Sequence, residues 1–173
     1  MASDFIDPGK ARGWAGALAD RLEILLTFIA GIAFVLIAAL IIGQVFFRYV
    51  LVAPPTWTEE LTRYIFVWLA WLSAAVVFRK GQHVTIDAIS GFMSERLQFW
   101  HDLAIRLVCV GILIFLLKFG WDVTSFTRSR SAALNIPMNY VYLSAAAGSA
   151  FMLLFALLDA IESCYWRMFK GAN

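Results

Sequence analysis

Apolar residues gather into four long stretches separated by short polar ones, and the lengths of these stretches set the first constraint. Residues 24–47 form a run of 24 residues without a formal charge, bounded by Glu23 and Arg48. Crossing a bilayer takes roughly 20 apolar residues, so this run predicts a first spanning helix. Residues 64–78 hold an uncharged run of only 15, too short to cross alone. Extended back to Thr56 the segment reaches 23 residues, about 34 Å of helix at roughly 1.5 Å per residue. The third stretch, 102–121, has an uninterrupted apolar part of 11 residues, 107–117. Asp102 and Arg106 precede it four apart in acid-first order, which predicts a pair on one helix face that extends the span. The fourth, 136–158, again has 23 uncharged residues, with Gly148 and several Ala and Ser residues that permit close helix contacts.

The expected fold is therefore an all-α integral membrane protein with four transmembrane helices, at about 24–47, 56–78, 102–121 and 136–158. They make up one membrane domain over 22–160, between an N-terminal segment, 1–21, and a tail, 161–173. With the N-terminus inside, eight lysines and arginines near the span ends face the cytoplasm and five face outward. That balance favours an N-in, C-in arrangement with both terminal segments cytoplasmic. Between spans two and three, Phe92, Met93, Leu97, Phe99, Trp100 and Leu103 are interleaved with polar and charged residues. This stretch reads equally as an amphipathic helix along the membrane interface or as the wet first turns of span three.

Composition agrees with the pattern: 62% of the 173 residues are hydrophobic and 15% are charged, too little polar surface for a soluble domain of this size. A formal net charge of +2 gives no reason to expect nucleic-acid binding. Cys109 and Cys164 lack metal-ligand spacing and read as small buried hydrophobes. The polar, mixed-charge start and the length of the first apolar run do not fit a cleavable signal peptide.

The richest local chemistry lies in PPTWTEELTRYIFVWLAW, residues 54–71. Pro54 and Pro55 break the first helix. Thr56 and Glu59 have the spacing of a capping box, and Glu59 and Glu60 stand where a helix dipole favours negative charge. Glu59 precedes Arg63 by four residues, as a helical ion pair requires; Arg63 is alternatively free to snorkel, pair with Glu60 or meet a partner. The Pro-Pro connection brings Arg48 close to this turn, so Arg48, Glu59, Glu60 and Arg63 are expected to form a polar cluster at the outer end of spans one and two. Trp57, Leu61, Tyr64, Trp68 and Trp71 recur at spacings of four and three on one helix face. Trp57 suits interface anchoring, whereas Trp68 and Trp71 lie near mid-span, where packing against another protein is the better explanation. Trp57, Tyr64, Trp68 and Trp71 are thus the candidate partner interface. Beyond the span, RKGQHVTID carries Arg79, His83 and Asp87, and its Arg, Lys and Gly suit a helix C-terminus.

His83 and His101 raise a second reading, a haem-bearing membrane anchor of an oxidoreductase. Both fall in one cytoplasmic connection rather than on facing spans, which argues against it. A third reading is a small homo-oligomeric transporter. The spans hold no central Asp or Glu, no phosphate loop, no nucleophile–base pair and no broken helix pair of the kind that surrounds ions in secondary transporters. By itself this pattern indicates neither an enzyme nor a transport pathway.

FFRYV at 46–50, PTWTEELTRYIFVWLAWLSAA at 55–75, FRKGQHVTID at 78–87 and ALNIPMNYVYL at 133–143 together resemble the small integral membrane subunit, of DctQ type, of tripartite ATP-independent periplasmic (TRAP) transporters. The chain departs from the family where SAAAG at 144–148 stands in place of a frequent proline soon after the YVYL-like segment, and where Asn135 stands in place of a frequent glycine before IPM. The resemblance implies a non-catalytic subunit of the bacterial inner membrane that scaffolds a large permease subunit. In that family picture a periplasmic substrate-binding protein delivers an organic acid, and the large subunit moves it with sodium. No cofactor is then expected in this chain, and its partners are the large subunit, the binding protein and the lipid bilayer.

Overall fold

A computed structural model describes residues 14–53, 55–89 and 95–170, and for 82–89, 95–102 and 163–170 it is the backbone alone that is described. The described chain is four long helices: α1 Trp14–Tyr49, α2 Thr56–Ile89, α3 Glu95–Phe126 and α4 Asn139–Lys170. Each contains a stretch long and apolar enough to cross a membrane. Connected in series, they run up and down, so the start of α2 and the α3–α4 loop share one end of the bundle, and the start of α1 and the end of α2 share the other.

All four helices outrun the apolar spans. Helix α1 begins ten residues before the uncharged run and includes Asp20 and Glu23, while α4 continues through the segment expected to be a tail. Polar ends cost nothing outside the hydrocarbon, where water and opposite charges satisfy them. Residues 95–102 are the opening turns of α3 itself, the second of the two readings of that stretch. Helix α4 starts three residues later than expected. Ile136 precedes Pro137, which disfavours helical backbone at 136 and removes the amide at 137.

Helix α4 is the hub, packing on α1, α2 and α3, while α1 also packs on α2. Its sequence explains why. Ala145, Ala146, Gly148 and Ser149 keep its surface low, so neighbours approach closely. Buried Ser144 and Ser149 satisfy their own hydroxyls on the backbone, donating to Val141 O at 2.6 Å and Ala145 O at 2.7 Å. The core joins Leu26 of α1, Leu72, Ala75 and Val76 of α2, Leu113 of α3, and Met152, Phe155 and Leu158 of α4. Among the described residues Phe155 is the largest side chain that is fully buried.

Candidate functional site

At the end where α2 begins, the 127–138 loop folds back on itself. The Ser131 amide donates to Ile136 O at 2.9 Å, and the Met138 amide to Ser129 O at 3.0 Å. Asn135 closes the turn with a positive φ of 54°, the left-handed region that glycine enters freely and asparagine tolerates better than other residues. Asparagine at 135 thus meets the backbone demand of this turn.

This turn aims three consecutive amides at one point, and Glu60 fills it. Its Oε1 accepts from the Ala132 amide at 3.1 Å, and its Oε2 from Ala133 at 2.9 Å and Leu134 at 3.0 Å. The Tyr64 hydroxyl donates to Oε1 at 2.6 Å from one helical turn further on and lies 3.3 Å from the Met138 sulfur. Successive amides in a turn make a concavity for an anion; here the anion is the chain's own carboxylate. Of the four charge-assisted donors on this carboxylate, the three loop amides latch the α3–α4 loop to α2 across more than 70 residues of sequence.

Below the latch the tryptophan stripe continues the same seam. The Trp68 indole donates to Tyr140 O at 3.1 Å, and Trp71 packs so closely on Gly148 that a Cβ there would stand 2.9 Å from the Trp71 Cβ. Tyr64 is buried, Trp68 and Trp71 are half-buried, and Trp57, beyond the loop's reach, is 45% exposed. The mid-span tryptophans therefore meet a helix of their own chain. Stripe periodicity identifies a packing face without identifying what packs there, and α4, with its lowered surface, is the neighbour that fits.

The expected four-residue cluster divides. Arg48 lies over the Tyr49 ring, 5.9 Å from its centroid, and Glu60 is held by the loop. Glu59 and Arg63 are exposed, and among the described residues neither makes an ion pair or a side-chain hydrogen bond. At the start of α2 the working hydroxyl is that of Thr58, which donates to Pro55 O at 2.8 Å. Helix α2 begins at Thr56, so Thr56 sits inside the first turn rather than before it, where a capping side chain would have to stand.

At the opposite end a second polar set ties three helices together. Arg79 of α2, its side chain 13% exposed, pairs with Asp20 and, at 3.2 Å, with Glu23 of α1. Its guanidinium also stacks 5.4 Å from the centroid of the Phe155 ring of α4, and Lys80 reaches Glu23 at 3.5 Å. Arg106 of α3 pairs at 3.6 Å with Asp159 of α4; the side chain of Asp102, its expected partner within α3, lies outside the described residues. So do those of His83, Asp87 and His101, whose backbones belong to the last turns of α2 and the first of α3.

The sequence profile of the DctQ component of tripartite ATP-independent periplasmic transporters matches residues 37–164. Over 141 residues the chain is 25% identical to a protein of Haemophilus influenzae strain Rd, provisionally named TRAP transporter small permease protein; the match covers 79% of this chain and 84% of that one. Over 93 residues it is 29% identical to the sialic acid TRAP transporter permease protein SiaT of Haemophilus influenzae strain 86-028NP, covering 54% of this chain but only 15% of that much longer protein. With the family profile running from α1 through the latch and the α2–α4 seam into α4, this chain belongs to the DctQ-component family of TRAP transporters: it is a multi-pass transporter component of the bacterial inner membrane, not an enzyme.

Proposed function

We propose that this small permease subunit is a scaffold: it binds a large permease subunit, which carries an organic acid inward with sodium after a periplasmic binding protein delivers it. The observation that carries this reading is the closed interior. Between the helices the described core is Leu26, Leu72, Ala75, Leu113, Met152 and Phe155, a packed seam of apolar side chains that offers an ion or an acid no polar ligand. The paired acids, Asp20, Glu23, Glu60 and Asp159, are engaged near the two ends in holding helices and a loop together.

The length relation to SiaT supports a larger companion, since the matched segment is a minor part of that permease. In an N-in, C-in arrangement the Glu60 latch faces the periplasm and the Arg79 clamp the cytoplasm. Proteoliposome uptake driven by a sodium gradient tests the proposal, with radiolabelled sialic acid and a panel of dicarboxylates as probes and the cognate binding protein added. Uptake is expected only when this chain and the large subunit are reconstituted together. Sodium-dependent uptake by this chain alone would refute the scaffold reading.

A further inference from the structure

Helix α2 presents a mismatch between composition and burial. Its span, Thr56–Gly81, has the lowest mean hydropathy of the four, 1.7 against 3.0, 2.3 and 2.0. Yet only 17% of its most apolar 18 residues are buried within the chain, whereas 44% of those of α4, at 2.0, are buried. The helices left most open, α1 and α3, turn bulky apolar residues outward, such as Phe28, Ile32 and Val35, and Leu107, Ile112 and Phe115, as lipid contact favours. The outward side of α2 is different.

Glu59, Arg63, Phe66, Ala70, Ala74 and Val77 are all exposed, and their spacings of four and three place them on one stripe. At 3.6 residues per turn this stripe is centred roughly 130° around the helix from Tyr64, Trp68 and Trp71, and α4 leaves it exposed. Phe66 forms a projecting knob, 59% exposed. Ala70 and Ala74, four apart, form a notch of the kind that admits another helix's backbone. Arg63 sits about 10 Å along the helix from Thr56, at roughly 1.5 Å per residue, and finds no counter-charge among the described residues. An arginine within a span is costly unless paired.

Resting on the small-subunit reading above, we infer that this stripe is the seam on which a transmembrane helix of the large permease docks. That helix brings a carboxylate to the level of Arg63 and an apolar side chain into the Ala70–Ala74 notch. Charge complementarity favours this occupant over lipid, since a carboxylate at the same depth would pair the exposed cation and a helix backbone would fill the notch below it. The tryptophan side of α2 is then the internal seam, and the alanine side the intersubunit one.

The test uses the full chain co-expressed with its cognate large permease and recovered through a tag on this chain. Arg63→Glu and Ala70→Trp are each expected to cut the recovered large subunit at least tenfold, while Arg63→Lys keeps most of it. Ile32→Trp on α1 and Ile112→Trp on α3 are expected to leave recovery unchanged. In the otherwise wild-type complex, a photoreactive benzoylphenylalanine replacing Phe66 is expected to cross-link to the large subunit, and the same group replacing Phe34 on α1 is not; this arm needs no disruptive substitution.

Wild-type recovery by Arg63→Glu and Ala70→Trp, with cross-links from position 66 to lipid alone, would mean the stripe faces the bilayer and the inference is wrong. Loss of the complex in the α1 or α3 variants with α2 unaffected would move the seam elsewhere and likewise overturn it. If the wild-type chain fails to recover the large subunit at all, the small-subunit reading falls first and takes this inference with it.

Discussion

Replacing Gly148 with alanine puts a methyl group where α4 presses on α2. That methyl would stand 2.9 Å from the Trp71 Cβ, 3.0 Å from the Trp71 carbonyl oxygen and 3.1 Å from its Cε3. Carbon atoms pack best at about 3.5–4.0 Å, so the two helices must part by roughly 0.5–1 Å. Two of the three contacts, Cβ and the carbonyl, cannot swing aside by a rotamer change. Overpacking of this kind costs about 1–3 kcal/mol, while removing a mid-helix glycine returns about 0.5–1 kcal/mol, leaving a net loss of about 0–2.5 kcal/mol, centred near about 1 kcal/mol.

Two internal controls accompany it: a Cβ at Gly31 or Gly111 meets nothing within 4 Å, so Gly31→Ala and Gly111→Ala should keep the helix-propensity gain alone. Thermal unfolding in detergent, followed by circular dichroism and tryptophan fluorescence, reads the difference, at roughly 2–4 °C per kcal/mol for a chain of this size. The expected order of melting temperature is Gly111→Ala at or above wild type and Gly148→Ala below it. A Gly148→Ala protein as stable as the two controls would show that α2 and α4 are not packed as described.

The latch makes a local prediction. Glu60→Gln keeps the shape but removes the charge that three amides share, so hydrogen exchange at Ala132, Ala133 and Leu134 should accelerate roughly tenfold, since charge-assisted bonds are about twice as strong as neutral ones; unchanged protection would dissolve the latch. Arg79→Gln removes the half-buried guanidinium that ties Asp20 and Glu23 of α1 to α2 and should cost about 1–3 kcal/mol, whereas Arg106→Gln, at a pair whose arginine side chain is 43% exposed, should cost under about 1 kcal/mol. Equal melting temperatures for the two variants would contradict that ranking. At Asn135, replacement by glycine should be tolerated and replacement by leucine should destabilise by about 1–2 kcal/mol, the cost of a left-handed backbone at an ordinary residue; a neutral leucine would place φ elsewhere.

The four helices were legible because an apolar run of spanning length has few alternatives in lipid. So was the family, because its motifs occur in order across most of the chain. Which side of α2 meets what was less legible. The tryptophan stripe announces a packing face, but its occupant, α4, lies about 70 residues away and betrays itself only through small residues that would suit any close contact. Glu60 looked like its neighbour Glu59, an acid in the first turn of a helix. Only the fold of the 131–137 turn, where three amides converge, separates the two. Arg79 showed the same limit: its spacing suited a helix end, while its real partners, Asp20 and Glu23, stand on another helix. Long-range ion pairs leave no periodicity to read, whereas the demand at Asn135 did leave a trace, in a residue type that tolerates positive φ.

The central claim is that this chain works as the small half of a permease rather than as a transporter by itself. Native mass spectrometry of the tagged chain, extracted from membranes that also express its cognate large permease, tests that claim most directly. The expected result is a hetero-complex in which one 19.4 kDa chain is bound to one much larger membrane protein. A homo-oligomer of this chain, with no larger protein attached at wild-type expression of both, would contradict it.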